Sequence, residues 1–144
     1  MFLQETWLYG FEEYKISNVL KNANFTTKSG MIDSNIDRRG RPFGGCAIIW
    51  NAKLPLNFKP INTNSRRLCA ALVEKNSLKL LLICVYMPCN DRTEYYQNEF
   101  SDVIDEMSSL IRSNEDHNPI IGGDFNLDYF RDNQTTSYVI LKNF

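Results

Sequence analysis

The sequence predicts an α/β sandwich, and three features of the chain carry that expectation. The run Leu78–Tyr86 (LKLLLICVY) is apolar almost throughout, as a strand buried on both faces is. Phe100, Val103, Ile104, Met107, Leu110 and Ile111 then recur at helical spacing. Beyond that stripe, IIGGDFN, from Ile120 to Asn126, reads as a strand returning to the sheet. A strand, a helix on its face and another strand form the unit from which layered α/β folds are built.

The other elements follow in chain order. MFLQE reads as a strand that is apolar from its first residues, with no turn or cap in front of it. Ile16, Val19, Leu20 and Ala23 support a short amphipathic helix from about Glu12 to Ala23, ended by Asn22 and Asn24. A polar, turn-rich stretch is expected from there to Pro42, where GRPFGG leads into the strand Cys46–Trp50 (CAIIW). LCAALV (Leu68–Val73) and the run Leu78–Tyr86 are separated by EKNS, the length of a hairpin loop, and should pair antiparallel. DRTE, Asp91 to Glu94, has the spacing of a capping box opening the striped helix, which should run from Asp91 to Ser113. From Tyr129 onward the pattern is ambiguous, with SYVILKNF a final element of undetermined type.

At 144 residues the chain suits one domain with a real core. Hydrophobic residues at 43% and charged residues at 23% are ordinary globular proportions, which argues against disorder or a fibrous repeat. The longest apolar run falls far short of the roughly 20 residues that span a bilayer, so no membrane association is expected. Gln4 and Glu5 interrupt the N-terminus where a secretory signal would be apolar, and an intracellular address is the default expectation. A net charge of −1 argues against a general polyanion-binding surface. Nucleic-acid contact would have to be local, at Arg38, Arg39 and Arg41 or at Arg66 and Arg67, runs that equally serve as solvated loops. Cys46, Cys69, Cys84 and Cys89 form no CxxC pair, and His117 is not spaced to complete a zinc site with them. All four are expected as small buried hydrophobes.

Residues two apart in an extended segment face the same way, so Asp124 and Asn126 would project together from the end of their strand. Gly122 and Gly123 would let a ligand approach that acid closely, although Gly, Asp and Asn are also the ordinary residues of turns. Glu5 ends its own apolar strand, and in the same sheet its carboxylate would reach the same rim. Two carboxylates with waters suit a reluctantly dehydrating Mg²⁺, which can polarise a phosphoryl oxygen. Tyr86 closes the long strand and would place a phenol there, unless it is a core aromatic. Serine, histidine and cysteine hydrolase schemes find no support, because the one histidine has no nucleophile motif near it.

LQETWL (3–8), GRPFGGCAIIW (40–50), VYMPCN (85–90) and GGDFN (122–126) resemble, in this order, motifs of the endonuclease/exonuclease/phosphatase superfamily. More narrowly, they resemble the apurinic-type endonuclease domain of non-LTR, LINE-like retrotransposons. The resemblance implies a four-layer α/β sandwich of two mixed, mostly antiparallel sheets flanked by helices. It implies Mg²⁺ or Mn²⁺ as cofactor with no small-molecule cofactor, DNA as partner, and a nuclear site of action. Glu5 matches the family's metal-binding glutamate, Asp124 the aspartate that orients or deprotonates the attacking water, Asn126 the amide that holds the phosphate, and Tyr86 the tyrosine that hydrogen-bonds it. The family pattern also has an earlier asparagine-bearing strand and a later half ending in a Ser-Asp-His-type motif, and His117 precedes GGDFN rather than following it. Residues 1–144 are therefore expected to form a single partial domain, truncated at both ends and inactive alone. A phosphatase or phospholipase branch, and a non-catalytic remnant or domesticated binding protein, are the alternatives.

Overall fold

The computed structural model describes residues 1–31, 43–91, 93–128 and 135–144. Two sheets face each other. The first has the order β1-β3-β2, with β1 Phe2–Gln4, β2 Ala23–Lys28 and β3 Cys46–Asn51, all paired antiparallel. The second has the order β4-β5-β6-β7, with β4 Asn57–Ile61, β5 Leu68–Lys75, β6 Leu78–Tyr86 and β7 Asn118–Asp124. There β4, β5 and β6 run antiparallel and β7 lies parallel to β6, as a strand returning after a helical crossover does. Pro60 and Pro119 lie in the outer strands β4 and β7, where a missing N–H does not interrupt a central ladder.

Alternation along β3 sends Cys46 and Ile48 toward the second sheet, where they meet Cys69, Ala71 and Cys84. Ala47 and Ile49 face the other way and pack with Ile16 of helix α1 (Tyr14–Val19). On the far face of the second sheet, Leu81, Ile83 and Val85 of β6 pack against Phe100, Val103, Ile104 and Met107 of helix α2 (Glu94–Ser113). Helix α3 (Thr136–Asn143) adds Ile140 and Leu141 to that core, and the Tyr96 hydroxyl lies 2.7 Å from Ser137 Oγ at the α2–α3 contact. The layers are thus α1, sheet, sheet, and α2 with α3, the expected four-layer arrangement. The β6 run is apolar on both faces because one meets α2 and the other the first sheet.

Several boundaries differ from expectation. The first helix is shorter: a 3-10 turn at Gly10–Glu12 precedes α1, which stops at Val19. Ala23 opens β2, and Val19 is exposed, so the helical spacing there reflected two elements rather than one. Both β2 and β4 were unexpected. ANFTTK is polar enough to read as a turn, and NFKPI carries a proline that demotes it, as befits an outer strand. Lys75 pairs with Leu78, so the β5–β6 loop is Asn76 and Ser77 alone, with Asn76 at φ 52°. Helix α2 is capped by Thr93, whose side chain accepts from the Tyr96 N–H, while Asp91 accepts from the Thr93 N–H and hydroxyl. The cap therefore sits two residues beyond the start of DRTE. SYVILKNF falls almost wholly within a helix. Cys89 is exposed, unlike the other three cysteines, because it lies beyond the end of β6. Arg38, Arg39 and Arg41 lie outside the described residues.

Candidate active site

The candidate residues gather where β1, β6 and β7 end together. Parallel pairing sets Tyr86 beside Asp124, each the last residue of its strand. Glu5 follows β1, and its Oε1 accepts a 2.9 Å hydrogen bond from the Tyr86 hydroxyl. Glu5 thus reaches the rim from the facing sheet, not from the same sheet as Asp124. Asn126 completes the group: its N–H donates to Asp124 Oδ1 at 2.9 Å, and its side-chain Nδ2 donates to the Met87 carbonyl at 2.6 Å. The Met87 N–H in turn donates to the Asp124 carbonyl at 2.8 Å, tying the ends of β6 and β7 together.

The two glycines before Asp124 have a different use from the one expected. A Cβ on Gly122 would lie 2.5 Å from Phe2 Cδ2, and one on Gly123 would lie 1.9 Å from the Val85 carbonyl oxygen. The space is filled by the protein itself: Phe2 lies against β7, which sets β1 close to the strand that ends in Asp124. Gly45 plays a comparable part, with φ 88° and the Thr6 hydroxyl oxygen where a side chain would begin. The Thr6 and Trp7 N–H groups donate to the Gly45 and Gly44 carbonyls, which holds the segment after β1 in place.

Glu5 (φ 52°), Trp7 (φ 53°) and Asn126 (φ 47°) all occupy the left-handed backbone region. Asn tolerates it, whereas Glu and Trp do so at a cost, and such residues cluster at functional sites. Burial, then the hydrogen bond to Glu5 and its charge, push the Tyr86 phenol up to about 12, while hydrogen bonding with the Asn126 side chain opposes them. At neutral pH Tyr86 is therefore a proton donor in a hydrogen bond, and it cannot serve as a base. The oxygen donors at the rim include two exposed carboxylates, hard ligands suited to Mg²⁺ or Mn²⁺, beside which Tyr86 stays a hydrogen-bond donor.

Sequence reasoning did not connect Arg67 with Tyr86. The Arg67 guanidinium lies 5.6 Å from the centre of the Tyr86 ring and is held by Glu99 through bonds of 2.9 and 3.1 Å. Its carbonyl accepts the Tyr86 N–H at 2.7 Å. The long-range pairing of β5 with β6 was the available signal, since it fixes Leu68 opposite Val85. Beside it runs an open groove of about 920 Å³, where Arg66 and Arg67 face Glu99, Asp102 and Glu106. His117 lies at the other end of β7, tied to Asp116 and Glu74 at 2.7 and 3.2 Å, and takes no part in the rim.

No family model matches the chain, and no curated protein does. Solved structures do. The 3′ phosphatase NExo from Neisseria, bound to a product DNA hairpin, is similar with a TM-score of 0.62 at 14% identity, over 99% of this chain and 58% of NExo. An AP endonuclease from Archaeoglobus fulgidus gives 0.61 at 12% identity, over 98% of this chain and 57% of that one. Humanized D. rerio TDP2 gives 0.54 at 24% identity, over 88% and 49%. The chain spans between 49% and 58% of the length of these three proteins. Likeness at these identities concerns the fold alone: the chain shares the two-sheet α/β sandwich of these proteins.

Proposed function

We propose that the chain is part of a metal-dependent phosphodiesterase domain acting on DNA, of the kind that nicks target DNA for a LINE-like retrotransposon in the nucleus. The observation that carries this reading is the 2.9 Å hydrogen bond from Tyr86 to Glu5 beside Asp124, which unites three polar groups from strands distant in sequence. Glu5 would hold Mg²⁺ or Mn²⁺, and the hard oxygen donors at the rim fit either ion. Bound there, the ion would neutralise charge developing on a phosphoryl oxygen and a leaving alkoxide. Asp124 orients the attacking water and accepts its proton, with its carboxylate held by the Asn126 N–H. Asn126 and Tyr86 hold the phosphate, Tyr86 as a donor whose proton is retained at neutral pH. DNA as substrate is supported by NExo with its DNA hairpin and by D. rerio TDP2 complexed with a single-strand DNA product.

Plasmid relaxation tests the reading. A chain extended to the length of the solved relatives should nick supercoiled DNA with Mg²⁺, and Asp124→Ala should abolish this. The 144 residues alone should nick little, since loss of a single preorganised donor costs about 10²–10³ in rate. An extended chain that cleaves nothing, or an Asp124→Ala variant that retains activity, overturns the assignment. Robust nicking by the 144 residues alone, abolished by Asp124→Ala, overturns the division of the site between the two halves. Because NExo is a 3′ phosphatase, a 3′-phosphorylated oligonucleotide belongs in the same assay. Release of phosphate without nicking would assign the phosphomonoester instead.

A further inference from the structure

We infer that Cys46, Cys69 and Cys84 form a site for a divalent thiophilic ion of the Zn²⁺ and Cd²⁺ class, buried between the two sheets and separate from the carboxylate rim. Their sulfur atoms all lie within 4.8 Å of one another. Cys69 and Cys84 sit opposite each other in the β5–β6 pair, and Cys46 of β3 meets them from the facing sheet. Sequence spacing argued against zinc because no two of these cysteines are close in the chain. The sandwich, not a local loop, brings them together.

Geometry and surroundings agree with this site. Metal–sulfur bonds of about 2.3 Å would place the ligand sulfurs about 4 Å apart, within reach of small side-chain rotations from their present positions. The surrounding Phe2, Ile48, Ala71 and Leu82 exclude hard competing ligands, and each cysteine is at most 2% exposed. Gln4 Nε2 donates to Cys84 Sγ at 3.3 Å, the kind of N–H contact that supports a thiolate ligand. A half-turn of the same amide would offer its oxygen as a fourth donor. Binding replaces three S–H bonds with three metal–sulfur bonds and releases three protons, leaving a net charge of −1 for a divalent ion. Lys28, opposite Cys46 in the β2–β3 pair and acting electrostatically on it, offsets that charge. A monovalent ion would leave a second buried negative charge, so the divalent class is favoured.

The probe is Cd²⁺, added as the chain refolds under a reductant that does not bind metals. One ion per chain is expected by native mass spectrometry, with thiolate-to-metal absorption in the ultraviolet and release of about three protons, one from each thiol. That absorption separates an ion held by sulfur from one held by Glu5 and Asp124. Cys89→Ala should bind fully, and Cys69→Ser should lose the absorption. Wild-type chain provides a readout independent of any variant's folding. In urea near the unfolding midpoint, Cd²⁺ should slow alkylation of Cys46, Cys69 and Cys84 while leaving Cys89 as reactive as before. Absence of thiolate absorption, dependence of that absorption on Cys89, or equal alkylation with and without Cd²⁺ would overturn the inference.

Discussion

Replacing Gly122 with alanine tests the contact that brings the two halves of the rim together. Gly122 is not in the left-handed region, so alanine fits its backbone, and loss of glycine's unfolded-state freedom would by itself stabilise the chain by about 0.4–1 kcal/mol. The new Cβ would lie 2.5 Å from Phe2 Cδ2 and 2.8 Å from Cε2. Carbon atoms rest about 3.5–4.0 Å apart, so the ring, or β1 with it, must retreat by about 1 Å. Overpacking of that kind costs about 1–3 kcal/mol, which outweighs the backbone gain and leaves a net loss of about 1–2 kcal/mol. Urea unfolding with an unchanged m-value should show it. Phe2→Leu removes the obstructing ring edge, so Gly122→Ala should cost much less in that background, with a coupling of about 0.5–3 kcal/mol. A Gly122→Ala chain as stable as wild type, or an equal cost with and without Phe2→Leu, would refute the proposed role of the contact.

Other perturbations probe the core, the helix cap and the rim. Phe100→Ala, at a fully buried α2 position, should cost about 3–5 kcal/mol in the same unfolding assay. Leu110→Ala, at a partly buried one, should fall below the range of about 2–5 kcal/mol for a buried leucine. Thr93→Ala should lose about 1 kcal/mol with the N-cap, read as a lower urea midpoint. Tyr86 should titrate near 12, seen as phenolate absorption missing from Tyr86→Phe. Because its folded value lies above the unfolded value of 10.0, this group's stabilising contribution is fully present below pH 10 and is lost as pH rises toward about 12. A stability difference between wild type and Tyr86→Phe that stays flat across that window would contradict the shift.

Much of the body of the fold was legible because its signals are periodic. The α2 stripe, the two-sided apolar run of β6 and the β5–β6 hairpin each follow from spacing alone. Polar β2 and proline-bearing β4 lie at sheet edges, where burial is partial and the alternating pattern fades. Around Ile16 to Ala23, helical spacing ran across a real boundary, since α1 and β2 both contribute to one small core. For the candidate site, the residue identities were legible through the resemblance, but the route by which Glu5 arrives was not. Nothing in LQETWL says that its strand belongs to the facing sheet; its antiparallel pairing with β3 puts it there, and Phe2 then packs against Gly122.

The same rim is where local preference and tertiary structure disagree. Along the hairpin and α2, propensity, burial and capping agree, as in a consistently encoded fold. Glu5 and Trp7 instead take left-handed backbone that their side chains disfavour, at a cost on the order of 1–3 kcal/mol each. Hydrogen bonds from Thr6 and Trp7 to the Gly44–Gly45 turn, and from Tyr86 to Glu5, offset that strain. The alternating strand path is broken immediately after Gln4, so Glu5 leaves the ladder and reaches the phenol across the sandwich. A straight continuation of β1 would set its next residue opposite Gly45, just ahead of β3. Placing a carboxylate at the end of β6 and β7 requires the break, and the surrounding sheets and glycine turn supply the interactions that maintain it.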